Sequence, residues 1–255
     1  RRELWTSHKG CSLDEFMLTG GYPRIYDQRL DPTQWLSGYY QTYVERDVRS
    51  LLKVFELDHF ERFIRLCAGR AGQLLNLSSL ASDCGISQPT AKAWLSVLKA
   101  SFICFTLKAH FKNFNKRIIK TPKLYFYDTG LLCYLLQIKS SDVLSTYPLR
   151  GNIFENWVIS ERMKSFYNNG EEPPFYFWQD AKGNEVDLLI DEGTYLHPAE
   201  IKSSSTFHND FVKNMKFFCE LQNVASSDFP LGECYYGGDE SFDFEGFQIN
   251  SWKDC

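Results

Sequence analysis

The strongest constraint on the fold is a pair of neighbouring apolar segments that carry charges in their interiors, "EVDLLIDEGTYLHPAEIKSSS", from Glu185 to Ser205. Residues 186–190 predict one buried strand, and residues 199–204 predict a second. The intervening "IDEGTY" can turn the chain within a few residues, so the two strands can pair antiparallel. Because side chains two residues apart in a strand face the same side, this pairing would bring Asp187 close to the charges of the second strand.

Glu200 and Lys202 share one face of that second strand. Two carboxylates that are drawn together repel each other, and their burial is costly unless a cation joins them. A hard divalent ion such as Mg²⁺ prefers oxygen ligands, which predicts a magnesium site made by Asp187, Glu200 and the backbone carbonyl of Ile201. Lys202 would then orient or deprotonate an attacking water, or stabilise negative charge on a phosphorus centre. The alternative is a salt-bridged cluster without activity.

Composition narrows the class of protein. The chain has 255 residues, of which 44% are hydrophobic and 24% charged, with a net charge of −4. It contains no apolar run of the roughly 18 residues that a membrane span needs. The eight cysteines form no CxxC pair and no zinc-type cluster, which predicts reduced thiols in a cytoplasmic protein without a membrane partner.

The pattern of elements predicts an α/β (α+β) fold in three parts. Residues 1–72 carry apolar residues at helical spacing and predict a helical segment. Residues 73–145 have the order of a winged helix: two short helices around Gly85, then two strands joined by a basic turn. Residues 146–255 alternate helices and strands and predict an α/β domain that ends in a late strand, "GECYYGG", and a tail.

A basic window within the middle part predicts contact with DNA. Between Lys92 and Lys123 the sequence has no acidic residue, so a local positive patch exists despite the negative total charge. We predict that four residues hold the nucleic acid: Lys92, Lys112, Lys116 and Arg117. The alternatives are a winged helix that binds only protein and a solvated hairpin tip.

The charged strand pair, together with an upstream helix, resembles the core of the PD-(D/E)xK nucleases. The order of elements is a helix with Glu155 in "IFENWV", a strand with Asp187, and a strand with Glu200-x-Lys202. The resemblance implies a restriction-endonuclease-like domain in which Asp187, Glu200, Lys202 and Glu155 are catalytic. It implies that Glu155 supports the metal or the water, while pairing with Lys202 or a surface arginine is the competing role.

A wider resemblance runs from about Gly20 to Leu221. "GGYPR", "YVERDV", "TPKLYFYDTGLLCYLL", "LRGNIFENWV", "FWQDAKGNEVDLLID" and "AEIKSSS" resemble the DUF4143 region, the C-terminal part of a group of prokaryotic AAA-type ATPases. The sequence has no GxxxxGK[ST] motif, so the resemblance implies an ATP site upstream of Arg1, in an N-terminal ATPase domain that is absent here. It implies a Mg²⁺-dependent DNA phosphodiesterase or, alternatively, a catalytically silent DNA- or protein-binding module that regulates the ATPase.

Overall fold

The computed structural model describes residues 10–43, 46, 57–110, 121–222 and 230–255. The chain divides into two compact units, each made of two stretches of sequence. The first comprises Arg1–Phe105 and Leu124–Ile153, and the second comprises Thr106–Lys123 and Phe154–Cys255. The three-part division drawn from the sequence stays a prediction.

The first unit is mostly helical, as the sequence predicts. Asp31 caps its third helix by accepting a hydrogen bond from the Gln34 backbone N–H at 2.7 Å, and Pro32 occupies the first turn. The helices in its described part are α1 (Leu13–Thr19), α2 (Pro23–Asp27), α3 (Pro32–Thr42), α4 (Leu57–Ala68), α5 (Leu77–Cys84), α6 (Gln88–Ala100), α7 (Thr129–Leu135) and α8 (Ser141–Ser145).

Helices α5 and α6 are the two helices that the sequence predicts on either side of Gly85. Gly85 ends α5 at φ 74°, a left-handed conformation that glycine adopts without strain, and the Ser87 side chain caps α6. Trp94 makes edge-to-face contacts with Phe60 and Phe63 of α4, at ring-centroid distances of 5.4 and 5.5 Å. These contacts bury one side of α6, whose buried residues are Ala91, Trp94, Leu95 and Leu98.

Asp128 joins two distant parts of the first unit. Its side chain caps α7 by accepting a hydrogen bond from the Leu131 backbone N–H at 2.8 Å, and it also accepts the Gly21 N–H at 2.7 Å. The backbones approach closely here, because a Cβ on Gly130 would lie 2.6 Å from the carbonyl oxygen of Thr19. One buried carboxylate thus fixes the end of α1 against the start of α7.

We expect Asp128→Ala to lower the free energy of unfolding by about 2 kcal/mol, because two backbone N–H groups lose their acceptor. Asp31→Ala is the matched control, since this aspartate caps a helix through one exposed bond, and we expect it to cost about 1 kcal/mol. Urea denaturation followed by circular dichroism measures both values. Equal costs would contradict the role of Asp128 in linking α1 to α7.

The strands form a mixed sheet. Their hydrogen-bonded order is β2-β1-β3-β4-β5-β6-β8-β7, and β1 and β2 are each divided between the two units. Strand β4 pairs antiparallel with β3 and with β5. Strand β6 pairs parallel with β5 and with β8. The strands are β1 (Cys104–Ala109), β2 (Lys123–Phe126), β3 (Phe175–Gln179), β4 (Glu185–Asp191), β5 (Leu196–Lys202), β6 (Glu233–Tyr236), β7 (Phe242–Phe244) and β8 (Phe247–Ser251).

The β4–β5 hairpin follows the predicted antiparallel pairing, with different ends. Leu188 pairs with Ala199, and Asp191 pairs with Leu196, so β5 begins three residues before the predicted start. It ends at Lys202, because the carbonyls of Lys202 and Ser204 accept the Gly237 N–H and the chain leaves the ladder. The predicted start at residue 199 and end at residue 204 were therefore wrong.

The second unit has two α-helices in its described part, α9 (Arg150–Asn168) and α10 (Lys213–Leu221). The first residues of α9, up to Ile153, belong to the first unit. Met215 and Phe218 of α10 are fully buried and belong to two apolar clusters, one with residues of β6 and β8 and one with Trp178, Val186 and Leu189. The C-terminal residues are not the tail that the sequence suggested, because they form β7 and β8 and extend the sheet.

The chain has an α+β fold, as predicted, with helices and one mixed sheet. Among the described residues, no helix is long and apolar enough to cross a membrane. All eight cysteines are free thiols.

Candidate functional site

The β4–β5 hairpin brings together the three charged residues that the sequence singled out. Lys202 Nζ lies 2.5 Å from Glu200 Oε1 and 3.7 Å from Asp187 Oδ2. The backbone N–H of Ile201 donates to the same Asp187 oxygen at 2.9 Å. Neighbouring strands thus hold two carboxylates and an ammonium group at one place in the second unit.

Glu200 is the most deeply buried acid of this group. Only 2% of the residue is exposed, and its Oε2 has no hydrogen-bond partner. Burial, followed by the charge of Asp187, raises the pKa of Glu200 to about 8, although Lys202 opposes the shift. A buried carboxylate oxygen without a partner is energetically costly, so this atom is a natural ligand for a cation.

Lys202 stays positively charged in this setting. Burial alone would lower its pKa, but the carboxylates of Asp187 and Glu200 raise it above the usual value for lysine. An ammonium held in this way is a poor general base and a good partner for developing negative charge. The geometry therefore favours charge stabilisation over deprotonation of water, the other role predicted for Lys202.

Glu155 lies on α9 and binds a lysine that sequence reasoning missed. Lys123 Nζ is 3.0 Å from Glu155 Oε1 and also forms an ion pair with Glu185. Burial alone would lower the pKa of Lys123, but Glu155, Asp187 and Glu185 raise it above its usual value. The signal was present in "TPKLYFYD", because Lys123 is a charge beside an apolar strand core, as Asp187 and Glu200 are.

The six charged groups do not balance. Four carboxylates, those of Glu155, Glu185, Asp187 and Glu200, face the two ammonium groups of Lys123 and Lys202. Counted over these six described groups alone, and with all of them ionised, the charges sum to minus two. A divalent cation would neutralise this excess.

The donor set fits a magnesium ion. Asp187 and Glu200 supply carboxylate oxygens, one of them the Oε2 of Glu200 that has no hydrogen-bond partner, and the Ile201 carbonyl stays a predicted ligand. Mg²⁺ keeps several waters and needs only one or two carboxylates, so a set this small is sufficient. The described part of the chain holds no group of three or more His, Cys, Asp or Glu side chains that could bind a metal.

The predicted nucleic-acid residues have different outcomes. Lys92 is an exposed residue of α6, close to the N-terminal end that helix-turn-helix proteins use to reach DNA. Lys112, Lys116 and Arg117 lie outside the described residues. Contact of these four residues with DNA stays a prediction.

Two family models match the chain. Residues 11–142 match a domain of unknown function, DUF8612, and residues 150–253 match a second one, DUF4143. The chain belongs to the DUF8612 family and carries a DUF4143 domain. The predicted resemblance to DUF4143 is confirmed, but its match covers a shorter stretch than residues 20–221, because the N-terminal part has a family model of its own.

The DUF4143 domain contains five of the six charged residues of the cluster, and Lys123 comes from the DUF8612 match. Two curated relatives, the uncharacterized proteins Mb2031c of Mycobacterium bovis and Rv2008c of Mycobacterium tuberculosis, are each 31% identical over 197 residues. The aligned region is 76% of this chain and 44% of each relative, so the chain spans less than half their length. No solved structure matches the chain.

Proposed function

We propose that the DUF4143 domain is a Mg²⁺-dependent phosphodiesterase that acts on DNA. The observation that carries the proposal is the meeting of Asp187, Glu200 and Lys202 on adjacent strands, with a buried Glu200 oxygen that has no partner. Charged residues in strand interiors cost stability, and such costs are typical of functional sites. A cluster of this composition is what hydrolysis of a phosphodiester requires.

Each residue has a role in this proposal. Asp187, Glu200 and the Ile201 carbonyl would hold the ion, which as a bound Mg²⁺ polarises a phosphoryl oxygen and lowers the pKa of a bound water. The Ile201 N–H holds the Asp187 carboxylate in place at 2.9 Å. Lys202 stabilises the negative charge that develops on the phosphoryl group. Glu155, which pairs with Lys123, adds a negative charge that acts on Glu200.

The remainder of the proposal concerns partners. Lys92 and the basic window after it would bind the phosphate backbone of DNA. The resemblance to AAA-type ATPases suggests that this activity is coupled to an ATPase domain of the same protein. We include that coupling in the proposal.

The alternative is a catalytically silent module that binds DNA or protein and regulates the ATPase. One observation favours it: in the described structure each of the four carboxylates already has a lysine partner. A cluster satisfied by its own lysines can be purely structural. The two proposals differ in whether a divalent ion displaces an ammonium from its carboxylates.

We expect the purified protein to cleave plasmid DNA in Mg²⁺ or Mn²⁺ and to be inactive in EDTA. Asp187→Ala and Lys202→Ala should each abolish cleavage, because the first removes an ion ligand and the second a charge-stabilising group. Gel electrophoresis of the plasmid measures the rates. Cleavage that survives in both variants would come from a contaminant and contradict the proposal, whereas salt-dependent DNA binding without cleavage would support the silent module.

A further inference from the structure

Lys123 is more deeply buried than Lys202, the other lysine of the cluster. Its side chain is 5% exposed, its ammonium pairs with Glu155 and Glu185, and it lies 5.5 Å from the centroid of the Phe177 ring. The two ion pairs, the aromatic ring and the burial together hold this ammonium in its place beside the carboxylates.

Lys202 is held differently. Its side chain is 35% exposed, so its ammonium can move into solvent while the stem stays in place. Its two carboxylate partners, Asp187 and Glu200, can then take a divalent ion instead. Glu155 and Glu185 are less able to exchange their cation, because the Lys123 side chain is only 5% exposed.

We infer that Lys123 is the permanent counterion of Glu155 and Glu185 and that it limits the site to a single divalent ion, bound by Asp187 and Glu200. In the function proposed above, Lys123 is therefore a positioning residue that keeps Glu155 out of the metal coordination. The inference rests on that function for the ion at Asp187 and Glu200. The contacts of Lys123 support the remainder independently.

The test counts bound Mn²⁺ ions by isothermal titration calorimetry and by electron paramagnetic resonance of free Mn²⁺. We expect Lys123→Ala to bind one more ion per chain than the unmodified protein, because Glu155 and Glu185 lose the Lys123 ammonium and the deleted side chain leaves room. Lys123→Arg keeps the positive charge and should bind the same number as the unmodified protein. Lys123→Ala/Glu155→Gln should also return to that number, because it removes one charge of each sign.

The outcomes separate the two proposals. An unchanged ion number in Lys123→Ala would overturn the inference and leave the proposed function standing. An unmodified protein that binds no ion would contradict the proposed function, and a gain of one ion in Lys123→Ala would then still support the inference. A second ion in the unmodified protein would overturn the inference directly.

Stability gives a second readout if the single variant folds poorly. Without metal, Lys123→Ala leaves two carboxylates without this counterion, and we expect its Tm to fall by about 10 °C. Millimolar Mn²⁺ should restore most of that loss, and the double variant should melt close to the unmodified protein in either condition. If Mn²⁺ stabilised Lys123→Ala by no more than it stabilises the unmodified protein, a metal ion would not be replacing the Lys123 ammonium, and this too would overturn the inference.

Discussion

Lys202→Met should lower the rate constant for DNA cleavage by about 10²- to 10³-fold, the usual loss when a preorganised group that stabilises transition-state charge is removed. The same variant should bind Mn²⁺ about tenfold more tightly, because the ammonium that competes for Asp187 and Glu200 is gone. Opposite changes in cleavage and ion affinity would separate the role of Lys202 from that of the ligands. Single-turnover cleavage and calorimetry measure the two quantities.

Lys253→Met is the matched control for that variant. Lys253 has nearly the same side-chain exposure as Lys202, 36% against 35%, and it also pairs with a carboxylate, that of Asp239. It is not part of the charged cluster, so we expect both cleavage and Mn²⁺ affinity to stay unchanged. If Lys202→Met kept full activity, or lost its affinity for Mn²⁺, the assignment of Lys202 as a charge-stabilising residue would be contradicted.

The sequence predicted the site wherever local rules decide the outcome. The two-residue repeat of a strand and a short turn were enough to place Asp187 near Glu200 and Lys202. The helix caps at Asp31, Ser87 and Asp128 obey an equally local rule, the preference of short polar side chains for helix starts.

Apart from the start of β5, the missed features depend on contacts between residues far apart in the sequence. Lys123 meets Glu155 and Glu185 only because the fold brings separate elements together. The second bond of Asp128, to Gly21, has the same origin. Strand β8 pairs in parallel with β6, although β7 lies between them in the sequence, so no local turn signal indicates this pairing. Periodicity carries no information about such pairings.

The last prediction concerns the energetic cost of the site. In metal-free buffer we expect Glu200→Gln to raise the free energy of unfolding, because an amide is less costly to bury than a carboxylate beside Asp187. The folded state raises the pKa of Glu200 from 4.5 to about 8. The contribution of Glu200 to stability is therefore fully present below about pH 4.5, where Glu200 is protonated in both states, and it is lost as the pH rises toward 8.

The gain from Glu200→Gln should accordingly grow between pH 5 and pH 8, reaching about 3 kcal/mol. Asp180→Asn is a control of opposite sign: burial alone would raise the pKa of Asp180, but hydrogen bonds from Asn184 and the Lys182 N–H lower it. Its stabilising effect is lost only on acidification below about pH 4, so its substitution should cost a constant amount from pH 5 to 8. Urea denaturation across this range measures both.

Saturating Mn²⁺ completes the experiment on Glu200. The ion should stabilise the unmodified protein and leave Glu200→Gln unchanged, because binding to the folded state alone adds stability and the variant lacks a ligand. The metal would thus offset the cost that the buried carboxylate imposes, and the site would be stable only when loaded. A gain that is flat across pH, or an equal Mn²⁺ response in both proteins, would mean that Glu200 is a structural ion-pair partner of Lys202 and not an ion ligand.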